Sequence, residues 1–163
     1  MFNGFMNGRF FLGGVATGAM ALGWWRLGLG TAEAAYPYAL SDAEWRKRLS
    51  PLAYNVLRKQ ATEHPFTSPL NKEHRAGIFA CAGCGQKLFS SKTKFDSGTG
   101  WPSFYAPLPK AVGTSRDFAL GYPRTEVHCA RCGGHLGHVF DDGPKPTGLR
   151  YCMNGVALSF VAA

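Results

Sequence analysis

Two Cys-x-x-Cys pairs, Cys81/Cys84 and Cys129/Cys132, constrain this chain more than any other feature, and each is followed directly by glycine, Gly85 in one case and Gly133-Gly134 in the other. Two thiolates three residues apart on a tight turn offer one edge of a metal's coordination shell, and the trailing glycine permits the positive φ that closes the turn. Two such turns complete a tetrahedron of sulfur, the usual arrangement of a structural zinc. The 44 residues between Cys84 and Cys129 mean that such a metal staples distant parts of one domain, whereas a compact zinc finger has a shorter spacer. Redox disulfides, mixed ligation through His135 or His138, and iron in the same cage are the competing readings.

Around these turns the pattern is one of short strands. Segments 78–81, 87–90, 125–129, 136–140, 150–154 and 157–161 are separated by glycine-bearing turns, and read as antiparallel β-structure. Upstream, Ser41-Asp42-Ala43-Glu44 has capping-box spacing for a short helix to about Leu49. Ser50-Pro51 repeats the start signal, with Leu52, Val56 and Leu57 as one apolar stripe, and predicts a second helix to about Thr62. The fold class expected is mainly β (α+β), with two short N-terminal helices packed on antiparallel sheet.

The first 34 residues read as a separate element. Residues 1–9 carry one arginine and no acid, residues 10–25 carry no charge, and Ala32-Glu33-Ala34 has the shape of a cleavage site before Ala35. A signal peptide fits this pattern, and Gly8-Arg9-Phe10-Phe11-Leu12 resembles a twin-arginine signal with Gly8 in place of the first arginine. We therefore expect a signal peptide over 1–34 and a single domain over 35–163, exported to the periplasm or beyond the cytoplasm. An uncleaved membrane anchor is the alternative.

The net charge of +8 raises the question of a nucleic-acid partner. Its basic residues are scattered, the densest run being Arg46-Lys47-Arg48, and no basic helix or basic-aromatic repeat accompanies them. We read the excess as a solubility feature and expect no nucleic acid to bind. Disorder is excluded by 45% hydrophobic and 17% charged residues.

One cysteine is left over. In Arg150-Tyr151-Cys152-Met153-Asn154, strand alternation puts Arg150, Cys152 and Asn154 on one face. A cysteine nucleophile acts as its thiolate, which a neighbouring guanidinium favours. Taken by itself, an unpaired cysteine is more readily a buried structural residue. Nearby in sequence, however, Gly134-His135-Leu136-Gly137-His138 carries two imidazoles able to move protons near neutral pH. Trp101 lies in a loop stiffened by Pro102.

Taken together, Thr62-Glu63-His64-Pro65-Phe66-Thr67, both Cys-x-x-Cys-Gly turns, Ser97-Gly98-Thr99-Gly100-Trp101-Pro102-Ser103-Phe104, the run from Gly134 to Phe140 and the run from Arg150 to Asn154 resemble the methionine sulfoxide reductase B family. The resemblance extends from about Ser41 to Val161. It implies two antiparallel sheets, one structural Zn2+ on Cys81, Cys84, Cys129 and Cys132, and reduction of the R epimer of methionine sulfoxide. It further implies Cys152 as nucleophile, His138 and His135 as proton handlers, Asn154 and Arg150 as organisers, and Trp101 and Phe140 as substrate contacts. A Cys152 sulfenic acid would be the oxidised intermediate.

Many members of that family carry a second cysteine where this chain has Thr99. With four cysteines assigned to metal, an external thiol reductant, thioredoxin-like or smaller, is expected to reduce the sulfenic acid. The partners expected are oxidised methionine in proteins or peptides and that reductant, and the enzyme is expected to work as a monomer. A zinc-ribbon nucleic-acid module explains the paired cysteines as well but leaves Cys152 and the two histidines without a purpose, and a thiol-disulfide oxidoreductase would need βαβ surroundings that these pairs lack.

Overall fold

Ser41 caps the first helix, α1 (Asp42–Arg48), by accepting from the Glu44 amide while Glu44 reaches back to the Ser41 backbone, which completes the capping box. Ser50 caps the second, α2 (Pro51–Lys59), with Pro51 in its first turn. The helix stops three residues before the expected Thr62 because Gln60 turns left-handed, at φ 56°, and the Ala61 amide closes back on the Asn55 carbonyl. Its buried stripe is Ala53, Tyr54, Val56 and Leu57. Leu52, expected in that stripe, is 48% exposed: the apolar face starts one residue later than the sequence pattern suggests.

These features belong to a computed structural model that describes residues 36–163, so the signal peptide expected over 1–34 lies outside the described residues. Among the described residues no helix is long and apolar enough to cross a membrane. Nine strands follow the helices: β1 (Gly77–Cys81), β2 (Lys87–Ser90), β3 (Lys94–Phe95), β4 (Ser103–Phe104), β5 (Val112–Asp117), β6 (Arg124–Cys129), β7 (His135–Phe140), β8 (Arg150–Met153) and β9 (Leu158–Ala162). They form two sheets, ordered β2-β1-β9 and β3-β4-β8-β7-β6-β5, in which every pairing is antiparallel. The expected class, mainly β with two short helices, is therefore the observed one. Strands β3, β4 and β5 had not been expected.

Aromatic packing joins the sheets. Phe79 of β1 and Phe89 of β2 meet Phe104 of β4, with ring centroids 4.9 and 4.4 Å apart and no measurable exposure at any of the three. Each such ring contributes roughly 1.5–3 kcal/mol relative to leaving it in water. Leu88, Leu136, Met153, Val56 and Val127 extend the same core, so β7 and β8 each turn one face into it. Their other face is left for chemistry.

Candidate active site and metal centre

The first Cys-x-x-Cys turn joins β1 to β2 in the smaller sheet, and the second joins β6 to β7 in the larger one. Their four sulfurs converge, all within 4.8 Å of one another, and all four cysteines are buried. The Cys81–Cys132 and Cys84–Cys129 sulfurs stand 3.8 and 3.6 Å apart. A disulfide would need about 2.05 Å, whereas a tetrahedron with metal–sulfur bonds of about 2.3 Å requires an edge of about 3.8 Å. The donor set therefore fits one metal ion, and no histidine belongs to the cluster.

Glycine makes the turns possible. Gly85 and Gly133 take φ values of 74° and 67°, and their amides close onto the carbonyls of Cys81 and Cys129. Three arginines tie the turns down from outside: Arg48 donates to the Gly83 carbonyl, Arg58 to that of Cys132 and Arg131 to that of Cys84. Carbonyls that would otherwise lie half-buried without partners are thereby satisfied.

Cys152 sits apart from this cluster, in the middle of the larger sheet. It lies in register with Ser103 of β4 on one side and His138 of β7 on the other. The close approach of β7 depends on Gly137, where an added Cβ would come within 2.1 Å of the Cys152 carbonyl oxygen. Thr62, Trp101, Arg124, Gly137, His138, Cys152 and Asn154 line a recess of about 120 Å³, the liquid volume of about four waters. A volume of that order suits one side-chain head.

Several interactions fix its walls. The Trp101 indole donates to the Glu63 carbonyl at 3.0 Å. Asn154, 4% exposed, accepts from the Glu63 amide and donates to the Leu136 carbonyl. The Glu63 carboxylate in turn accepts from the Val156 amide. One residue, Glu63, thus ties Trp101, Asn154 and the chain after β8 to the loop before β1. Thr99 brings its hydroxyl to 3.7 Å from the Cys152 sulfur, and behind it runs a hydroxyl chain through Ser97 to Ser103.

His138 donates from Nε2 to Asp117 at 2.7 Å, and Arg124 grips the same carboxylate oxygen at 2.5 Å. A hydrogen bond from the Ala119 amide, together with His138, holds the Asp117 carboxyl down at about 2, so it is ionised and accepts at neutral pH. The remaining ring nitrogen of His138, Nδ1, is the one left to exchange protons. His135 is 3% exposed and hydrogen-bonded through Nδ1 to Glu126 at 2.7 Å, with its ring edge-on to His138 at 5.4 Å. Glu126 is held below the usual carboxylate range by His128 and His135.

Of the residues singled out from sequence, Cys152, His138, Asn154 and Trp101 meet at the recess, with His135 packed behind His138. Arg150 does not line it: the guanidinium forks onto Asp142 and lies 4.4 Å over Phe140. Its proton is held more tightly, chiefly by Asp142 and also by the nearby Cys152 sulfur. Phe140 lies beyond His138, 6.4 Å away ring to ring, and faces a separate surface groove. The guanidinium that does line the recess belongs to Arg124, which sequence reasoning missed together with Asp117, Glu63 and Glu126. The pairing of β5, β6 and β7 brings Asp117, Arg124 and Glu126 to the site, and Glu63 is brought there by its bonds to Asn154 and Val156.

Fold and site define an antiparallel β protein with a four-cysteine cluster fit to hold one metal ion and a separate recess that brings a cysteine and a histidine together. Residues 49–162 match the SelR domain model. The chain is similar to the peptide methionine sulfoxide reductase MsrB of Leifsonia xyli, at 58% identity over 77% of this chain and 91% of that protein. It resembles the protein of the same name from Bradyrhizobium diazoefficiens at 58% identity over 72% and 86%, and that from Methanosarcina barkeri at 54% over 74% and 85%. The chain belongs to the peptide methionine sulfoxide reductase MsrB family, and is an oxidoreductase acting on methionine sulfoxide.

Proposed function

We propose that Cys152 reduces the R epimer of methionine sulfoxide in proteins and peptides, passing through a sulfenic acid that an external thiol then clears. The observation that carries this reading is the placement of the Cys152 sulfur in a side-chain-sized recess, between His138 and the Trp101 wall. In the first half-reaction the thiolate takes the sulfoxide oxygen as the S–O bond breaks. The thioether sulfur keeps the electron pair, a proton from His138 reaches the oxygen, and Cys152 ends as S–OH. Two equivalents of external thiol, thioredoxin-like or smaller, then give water, a disulfide and the restored thiol.

His135 buttresses His138, Asn154 shapes the floor, and Arg150 supplies positive charge near the sulfur while covering Phe140. Trp101 offers a flat apolar wall to the S-methyl group. The four-cysteine centre is assigned one structural zinc, whose chemistry is to cross-link the two turns. We assign residues 1–34 to export from the cytoplasm, a membrane anchor being the alternative, and the mature enzyme to a monomer.

A racemic methionine sulfoxide peptide supplied with excess dithiol should be consumed only to half, and chiral separation should show the S epimer intact. Consumption of both epimers at equal rates would overturn the stereochemical assignment.

His138 gives a pH test. Burial pushes its pKa down, Asp117 works against that through hydrogen bond and charge, and Arg124 and His135 add to the lowering. Asp117→Asn removes the opposing contribution, so His138 sheds its proton at lower pH than in the native enzyme. If protonated His138 is the acid, the alkaline limb of kcat/KM moves toward acid pH. An unmoved limb would take His138 out of proton delivery.

A further inference from the structure

The catalytic recess holds a side-chain head and little else, so whatever flanks the methionine in a peptide must rest outside it. Adjoining it at Trp101 lies a second groove of about 240 Å³, whose lining includes Phe66, Asn71, Lys72, His74, Lys94 and Phe95. Trp101 is common to both, so the groove adjoins the recess.

Two observations at Phe66 are costly unless the groove is used. It is 73% exposed, the most exposed of the large hydrophobic residues among those described. It also sits at φ 64°, a left-handed conformation in which a bulky side chain is a genuine outlier, and such strain collects at ligand clamps. Local structure holds it there. The Phe66 amide donates to the Gly100 carbonyl at 2.7 Å, and the Asn71 side chain donates to the same oxygen. Gly100 has φ 92°, and a Cβ there would strike Pro65 and the Phe66 ring. The loop carrying Trp101 and the turn carrying Phe66 are therefore locked together, and the ring is presented to solvent at the mouth of the groove.

The groove also has a sign. Lys72, His74 and Lys94 face Asp96 alone as a carboxylate among its lining residues. Lys94 is partly buried, donates to the Asn71 carbonyl at 2.9 Å, and burial pushes its pKa down. An acidic group from a ligand would offset that desolvation, as the nearby Asp96 and Glu73 carboxylates do in part.

We infer that this groove binds the extended polypeptide next to an oxidised methionine, with Phe66 seating an apolar neighbour of the methionine and the cluster of Lys72, His74 and Lys94 favouring an acidic one. The assignment rests on the Cys152 recess being the reducing site, with which the groove shares Trp101.

The test compares N-acetyl methionine sulfoxide amide with a decapeptide carrying leucine and glutamate beside the sulfoxide, both reduced with a small chemical dithiol. Phe66→Asn keeps a residue tolerant of the left-handed backbone but removes the ring, and Phe66→Tyr keeps the ring. For Phe66→Asn the expected result is about a tenfold loss of kcat/KM on the decapeptide, no change on the capped amino acid, and an unchanged or raised Tm. Phe66→Tyr should behave like the native enzyme.

Equal loss on both substrates, or on neither, overturns the groove. Binding of the corresponding unoxidised decapeptide, measured by calorimetry, separates this from a failure of the catalytic reading. An enzyme that reduces neither substrate but binds the decapeptide about tenfold more weakly after Phe66→Asn has the groove without the proposed reaction. If Phe66→Asn instead raises KM for a protein dithiol while sparing the decapeptide, the groove docks the reductant and the substrate assignment fails.

Discussion

Chelating the metal from the four-cysteine centre, or replacing Cys84 or Cys129 with serine, is expected to abolish the cooperative fold and not merely to soften it. The cluster joins the β1–β2 turn of one sheet to the β6–β7 turn of the other, and all four sulfurs are buried. Structural zinc sites are worth roughly 10–16 kcal/mol in small peptides at neutral pH, against a total stability of roughly 5–15 kcal/mol for a whole domain. Even a fraction of the metal's contribution therefore exceeds the margin. Serine in place of one cysteine removes one of the four ligands, and the three remaining sulfurs, left without the cation, take up protons and no longer link the two turns. The expected measurements are one zinc per chain by elemental analysis, no zinc in Cys84→Ser, and loss of the cooperative melting transition. Iron in that analysis would change the metal but leave the cross-link. A metal-free protein that melts at the native temperature would remove the centre from the account of stability.

What the sequence revealed of this architecture was what is local. Both metal turns, the Ser41 capping box and the Ser50-Pro51 start are each written within a few residues, because glycine at positive φ and a capping hydroxyl act over one turn of chain. Strand β5 was not legible for a physical reason. As an edge strand it is paired only with β6, and no residue of its run Val112–Asp117 is buried, so it has no apolar alternation to read. Two-residue strands such as β3 and β4 carry too few positions for any periodicity. The same limit hid half of the site. Asp117 reaches His138 only because β5, β6 and β7 lie side by side, and Glu63 reaches Asn154 across 91 positions of chain. Arg124 and Arg150 are equally basic in the sequence, and only the fold tells which of them lines the recess and which turns to Asp142.

Cys152→Ser should lower turnover about 10⁴-fold or more, while zinc content and melting remain native, since the partly buried Cys152 lies outside the four-cysteine cluster. Serine's hydroxyl is protonated at neutral pH and cannot take an oxygen atom to a stable acid. The companion experiment separates a nucleophile from a residue that merely shapes the recess. Native enzyme given one equivalent of sulfoxide and no reductant should release one methionine, lose one accessible thiol and gain the mass of one oxygen. Thr99→Cys extends the argument, because the Thr99 hydroxyl already lies 3.7 Å from the Cys152 sulfur and a small side-chain rotation would bring a thiol there to bonding distance. In that variant the sulfenic acid should be attacked from within: the new thiol displaces water, and an intramolecular disulfide replaces the mass gain of one oxygen. Such a disulfide in the unaltered protein would have to draw on a metal cysteine, and would break either the zinc assignment or the external-thiol route.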